Sequence, residues 1–327
     1  MKKIIFLIVI FNLFISCQKE KIEIKKVRIG FPGSVNVLDG VAGIAQQKKF
    51  IENELKNIAY EVEYINFSGN GPAVNEALIG GKIDVAIYAE VPGIILKSKG
   101  IDNSLYAIAD NHINAGIIVK KGSTIKSVSD LKGKKIAFPK GTYIHRFVIE
   151  ILKRNGLSEN DVEFLQISSD AESALLGGSV DAVAFTETFT ERLTRDKGLT
   201  EIIADTEKNP DLAGKSIFVG NNNYTKKNPE AIEAVLKGLK KGVDFTFENE
   251  DEAYRILAES HNMNVNTVRK IYYFNKDNIN KRYMINITPE IIFQLEQCKE
   301  FLLENNLITK DFSIEEWSDK SFYDKVF

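Results

Sequence analysis

The chain has 327 residues, 43 Lys and Arg against 45 Asp and Glu for a net charge of −2, and 2 cysteines. So even a charge balance, with no long basic run, excludes nucleic acid as the partner. Two cysteines give no disulfide framework, and the length suits one large or two medium domains held by their cores.

At the N-terminus, Lys2 and Lys3 precede a largely apolar run from Ile4 to Ile15. A basic start followed by an apolar stretch too short to span a membrane is the pattern of a secretory signal. The run ends at Ser16-Cys17, and the chain turns polar at Gln18-Lys19-Glu20. A small residue followed by cysteine resembles a bacterial lipobox, with Phe14 where leucine is usual. We read residues 1–17 as a lipoprotein signal and Cys17 as the lipidated first residue of the mature chain, in preference to ordinary cleavage. A lipid chain anchors a protein to a membrane surface without spanning it.

"KVRIGF" (Lys26–Phe31), "YEVEYINF" (Tyr60–Phe67), "IDVAIY" (Ile83–Tyr88) and "LYAIA" (Leu105–Ala109) are predicted strands. Gly40–Leu55 and Pro72–Leu78 between them carry helical spacing, so the order implies right-handed βαβ units and a mostly parallel sheet. A second series begins at "SVSDLKGKKIAF". It runs through a helix from Thr142, the strand "VEFLQI", a helix over Asp170–Leu176, the strand "DAVAF", a helix through Arg192 and the strand "LTEIIA". After "SIFVG" (Ser216–Gly220) the chain reads as nearly all helix. Pro229 opens one whose Ala231, Val235, Leu239 and Val243 share a face. Residues 18–112 are therefore expected to begin one lobe and 113–219 to form a second. Residues 220–327 return to the first and add C-terminal helices. The crossings are expected near His112–Gly116 and Phe218–Asn222.

One sentence of sequence occurs twice, as "ALIGGKIDVAIYAE" (Ala77–Glu90) and "ALLGGSVDAVAFTE" (Ala174–Glu187). Each copy reads as a helix end, a Gly-Gly stop and an Asp-led strand. Two such α/β lobes side by side make a cleft, and ligands of open α/β sheets sit beyond the carboxyl ends of the strands. Tyr88 and Glu90 stand at that end in one lobe, Phe185 and Glu187 in the other.

Several stretches, in order and at matching spacing, resemble the substrate-binding proteins of ABC importers, specifically the nitrate, sulfonate and taurine group. They are "FSGNGPAVNEALIGGKIDVAIYAEVPG", "IKSVSDLKGKKIAFPKGTYIHRFVIEILKRNGLSENDV", "LLGGSVDAVAFTETF" and the closing "FSIEEWSDKSFYDKVF". The chain departs from that group at Phe185-Thr186-Glu187-Thr188, where Trp-Asp-Pro is usual, and at Ala89-Glu90-Val91-Pro92, where Gly-Asp-x-Pro is usual. The resemblance implies a periplasmic-binding-protein-like fold of type II. Its two α/β lobes enclose a ligand cleft beside a helical C-terminal region. It also implies an exported, monomeric, non-catalytic receptor serving an ABC permease and its ATPase subunits, on the outer face of the cytoplasmic membrane or in the periplasm. No cofactor or metal is implied. Relatives in the same group bind thiamine-precursor aminopyrimidines, and others are enzymes, a pyrimidine synthase and desulfinases; both remain as alternatives.

Candidate ligand contacts follow from three helix starts, since such starts present unpaired N–H groups to oxyanions. They supply Ser34 and Asn36, then Ser68 and Gly69, then Gly141 and Thr142. Tyr88, Tyr143, Phe185 and Phe31 are candidate walls. Glu90 and Glu187 suit a ligand that donates hydrogen bonds, such as the amino end of a taurine-like zwitterion or an aminopyrimidine. His112, His145 and His261 are read as ordinary histidines, His145 as outward-facing. Cys298 lies in the terminal helices, away from the cleft motifs.

Overall fold

The computed structural model describes residues 24–33, 35–274 and 282–327. Cys17 and Ser34 lie outside the described residues.

The chain builds two five-stranded sheets in succession. The first series is β1 (Lys25–Pro32), α1 (Gly40–Gln47), α2 (Phe50–Lys56), β2 (Tyr60–Phe67), α3 (Asn70–Ile79), β3 (Val85–Ala89), α4 (Glu90–Ser98) and β4 (Asn103–Ile113). The second is β5 (Ala115–Lys120), β6 (Lys135–Phe138), α5 (Tyr143–Arg154), β7 (Glu163–Gln166), α6 (Ala171–Gly177), β8 (Ala182–Thr186), α7 (Glu187–Glu191) and β9 (Thr200–Asp205). Then follow β10 (Gly214–Asn221), α8 (Asn222–Thr225), α9 (Pro229–Glu248), α10 (Glu250–His261) and α11 (Val265–Tyr272). The last helices are α12 (Pro289–Glu304), α13 (Ile314–Trp317) and α14 (Ser321–Val326).

Strand order is β2-β1-β3-β10-β4 in one sheet and β7-β6-β8-β5-β9 in the other. The predicted parallel βαβ units are present as β2-β1-β3 and β7-β6-β8. Each sheet is mixed rather than mostly parallel, because a strand arriving from the other sheet enters against the run of the rest. β10 pairs antiparallel to β3 and β4, and β5 antiparallel to β8 and β9. The chain passes between sheets at Asn114, within the span expected for the first crossing, and again through residues 206–213. The second passage falls ahead of the expected Phe218–Asn222. Ile217, Phe218 and Val219 are fully buried, and their strand belongs to the first sheet.

The helix expected over Gly40–Leu55 is two, broken at Lys49, which takes a left-handed φ of 58°. The α9 face of Ala231, Val235, Leu239 and Val243 is buried as predicted. α9 approaches α2 so closely that a Cβ on Gly238 would stand 2.6 Å from the Ile51 Cα.

The two copies of the repeat superpose in role. Asp84 accepts a hydrogen bond from the Arg28 backbone N–H at 2.9 Å, and Asp181 accepts one from that of Lys135 at 2.8 Å. Each aspartate thus ties its strand to the neighbouring parallel one. Gly81 and Gly178 take left-handed φ of 65° and 78° between helix and strand, a conformation that glycine adopts without strain. Glu90 opens α4 and Glu187 opens α7, so each copy ends with a carboxylate at a helix start.

Candidate functional site

Two adjoining cavities lie between the sheets, an outer one of about 470 Å³ and an inner one of about 130 Å³. The first sheet contributes Pro32, Gly33 and the start of α3 (Ser68, Asn70, Gly71) to the outer cavity. The second contributes Pro139, Thr142–Ile144, Ser168, Ser169 and the face running from Phe185 through Phe189 to Arg192. The end of α10 and the loop beyond it close the outer cavity with Ser260–Met263.

Of the sequence-predicted residues, the structure brings Ser68, Thr142, Tyr143 and Phe185 to the outer cavity, and Phe31, Tyr88, Tyr143 and Glu187 to the inner one. Asn36, Gly69, Gly141 and Glu90 line neither. The Asn36 carbonyl accepts from the Gln46 side chain at 3.1 Å. Gly69 packs under α3, where a Cβ would meet that of Ala73 at 2.8 Å. Gly141, at φ 73°, sets up the entry to α5 and donates to His145 Nδ1 at 3.5 Å. The Tyr88 ring belongs to the core, and its buried hydroxyl has no hydrogen-bond partner among the described residues.

Both glutamates have partners within the chain. Glu90 is 1% exposed and accepts from the Lys215 backbone N–H at 2.8 Å. The Arg146 guanidinium lies 3.8 Å from it, and the Cys298 thiol donates to it at 3.9 Å. Burial pushes its carboxyl above the ordinary range, against the pull of Arg146 and Lys215. Glu187 accepts from Asn114 Nδ2 at 2.8 Å and faces Lys270 Nζ at 3.3 Å. Burial again raises its carboxyl, opposed by Lys270 and Asn114. Lys270 also meets Glu191 at 2.6 Å and Glu207 at 3.0 Å. Beside it, Asp196 accepts from the Asn264 N–H at 2.9 Å and the Thr267 hydroxyl at 2.5 Å. α11 is thereby clasped to the second sheet by charges that flank the cleft.

The outer cavity carries two carboxylates, Asp39 and Glu172, and a set of donors. The first turn of a helix leaves N–H groups without intrahelical partners, and Tyr143 and Ile144, which open α5, both line the outer cavity. The Thr142 hydroxyl donates to the Pro139 carbonyl at 2.7 Å, so this side chain shapes the entry to α5 and spends its proton locally. On the inner cavity, Arg282 is fixed by two-pronged hydrogen bonds to Asp110 at 2.9 and 3.0 Å and by the Ile271 and Tyr272 carbonyls. On the outer cavity stand Arg192 and His261, whose Nε2 lies 3.1 Å from an Asp39 oxygen.

Sequence reasoning missed Arg192, Phe189, Ser168, Ser169 and His261. Arg192 was legible only as the end of a helix five residues past the second repeat, and His261 was set aside with the other histidines. His145 is not outward-facing. It is 8% exposed, stacked on Phe138 at 5.2 Å between centroids, and edge-on to Phe164. Cys298 is buried and its thiol is pushed up to about 12, with burial the leading cause.

Two α/β sheets joined by two passages around a cleft, with helices returning over the first, define the periplasmic-binding-protein-like fold. The solved alkanesulfonate-binding protein of Xanthomonas axonopodis pv. citri, bound to MOPS, shares it with a TM-score of 0.73 at 22% identity, over 90% of this chain and 98% of that one. A solved desulfurization enzyme shares it too, with a TM-score of 0.71 at 15% identity, over 92% and 98% of the two chains. A Bacillus subtilis (strain 168) relative assigned as an aliphatic sulfonates-binding protein is 27% identical over 306 residues, 93% of this chain and 89% of its own. The chain belongs to the NMT1/THI5-like family, whose model matches residues 61–253.

Proposed function

We propose that the protein is the solute receptor of an ABC importer, taking a small organic sulfonate into the outer cavity and handing it to a membrane permease. The observation that carries this reading is the balance of groups on that cavity. The start of α5 and Arg192 offer donors; of the carboxylates on the cavity, Asp39 faces His261 at 3.1 Å and Glu172 holds Lys197 at 2.5 Å, while Glu90 and Glu187 lie off it with partners of their own. A carboxylate left without a cationic partner in the cleft would repel an anion, and Asp39 and Glu172 each face one, His261 and Lys197. The bound chain of Xanthomonas and the assignment of the Bacillus relative point the same way. The basic and apolar leader with Ser16-Cys17 supports export and lipid anchoring at Cys17, with the receptor on the outer face of the membrane.

The reading is non-catalytic. A nucleophilic cysteine works as the thiolate, and the buried Cys298 thiol, raised to about 12 and set behind Glu90, is held in the neutral form. Closure would pivot on Asn114 and residues 206–213, with ligand contacts from both lobes favouring the closed state.

The test is a thermal-shift panel of hexanesulfonate, taurine, nitrate and a 4-aminopyrimidine on the purified chain. A ligand at 100-fold above its Kd stabilises by about 2.7 kcal/mol. The expected result is a rise in Tm with hexanesulfonate; a rise with the aminopyrimidine alone would replace the sulfonate reading by the precursor-binding one.

A further inference from the structure

Among the described residues, Arg192 is the one Arg or Lys on the outer cavity. Its position follows from a change of helical geometry. α7 ends at Glu191, and Arg192–Asp196 continue as a π-turn, a form found frequently at functional sites. The guanidinium is not consumed by a tight ion pair. Glu172, also on the cavity, keeps one oxygen 3.6 Å from it, beyond hydrogen-bonding distance, and its other oxygen on Lys197 at 2.5 Å, so an oxyanion ligand competes with a loose carboxylate contact. The guanidinium is instead backed by an aromatic face, 5.7 Å above the Phe189 ring, which tilts against Phe185 at 4.6 Å between centroids. A guanidinium over an aromatic face is attracted by the ring and keeps its N–H groups available for a planar or tetrahedral oxyanion.

We propose that Arg192 receives the anionic headgroup of the ligand and that the Phe185–Phe189 pair takes its apolar body. This rests on the sulfonate-receptor reading and narrows it, to organic monoanions with a hydrocarbon or aryl portion in preference to bare inorganic oxyanions. A small ion would leave most of a 470 Å³ cavity, walled also by Val35, Val37 and Met263, without contacts. The same turn carries Asp196, which grips α11, so headgroup capture and lobe contact are borne by one short segment.

The test is calorimetric titration of hexanesulfonate, its neutral analogue hexanesulfonamide, and inorganic sulfate into the wild-type chain and four variants. Arg192→Gln should weaken hexanesulfonate by about 10- to 100-fold, the range of a lost charge-assisted contact, with little change for hexanesulfonamide. Arg192→Lys should recover part of the loss. Glu172→Gln should tighten hexanesulfonate in the wild-type background and do nothing in the double variant with Arg192→Gln. An arginine that served only to hold the fold would lower the Tm of the unliganded variant and weaken all ligands alike. That pattern, or a hexanesulfonate affinity unmoved by Arg192→Gln, overturns the assignment of Arg192. Sulfate binding as tightly as hexanesulfonate overturns the role of the aromatic pair. A wild-type chain that binds none of the three overturns the receptor reading itself, and the proposal with it.

Discussion

Glu90 and Glu187 close the two copies of the repeat, and the structure gives each a set of partners within the chain. In the sequence they look like paired ligand contacts. In the fold each sits at a helix start, where a carboxylate is favoured by the helix dipole, and each meets a partner from a distant part of the chain. Lys215 lies 125 residues from Glu90 and Cys298 lies 208 away, so no local pattern could announce those partners. Removing one member of a buried ion pair leaves the other charge uncompensated. Glu90→Ala is therefore expected to cost about 3 kcal/mol in urea unfolding, and Glu90→Gln, which loses the charge but can still accept from Lys215, less by about the 1 kcal/mol of that hydrogen bond. A Glu90→Ala chain within about 0.5 kcal/mol of wild type would show that the Arg146 pair contributes nothing.

His145 gives a pH signature at the same scale. Burial between two phenylalanine rings, with Lys140 nearby, lowers its pKa to about 4 from 6.5, and Nδ1 accepts from Gly141 in the neutral form. Between those pH values the unfolded chain binds the proton and the folded chain does not. Stability is therefore complete above about 6.5 and falls as the pH drops toward 4, by up to about 1.4 kcal/mol per unit. The urea midpoint of wild type should fall relative to that of His145→Leu as the pH drops from 7 to 4.5; parallel lines would contradict the assignment.

At the scale of elements, the α/β order was legible because hydrophobic alternation and helical spacing are local. The place of β10 was not, since "SIFVG" reads the same whether it pairs in one sheet or the other. Its partner β3 lies more than a hundred residues back. α11 was equally silent in the sequence, being recognised as helix and no more. In the structure it is the arm that fastens the C-terminal region to the second sheet through Lys270 and the Asp196 contacts. Burial opposes the charge on Lys270, but Glu191, Glu187 and Glu207 hold its pKa above the ordinary range. Lys270→Met should loosen this clasp and weaken hexanesulfonate and hexanesulfonamide by a common factor, on the order of 10-fold, as the closed population falls. A selective loss of the sulfonate would instead place Lys270 on the headgroup.

For the molecule as a whole, the repeat was the most informative feature of the sequence, since two matched α/β units imply two lobes and a cleft. The architecture alone does not choose a function, because a desulfurization enzyme shares it at a TM-score of 0.71. The choice falls to the cleft, where an arginine over an aromatic ring and one open helix start face a cavity whose two carboxylates, Asp39 and Glu172, meet His261 and Lys197. The most direct measurement is a crystal structure of the chain grown with hexanesulfonate. The sulfonate is expected in the outer cavity, within hydrogen-bonding distance of Arg192 and the first N–H groups of α5, with its alkyl tail along Phe185 and Phe189. A sulfonate bound outside the cleft, or one in the cleft that leaves Arg192 untouched, would contradict it.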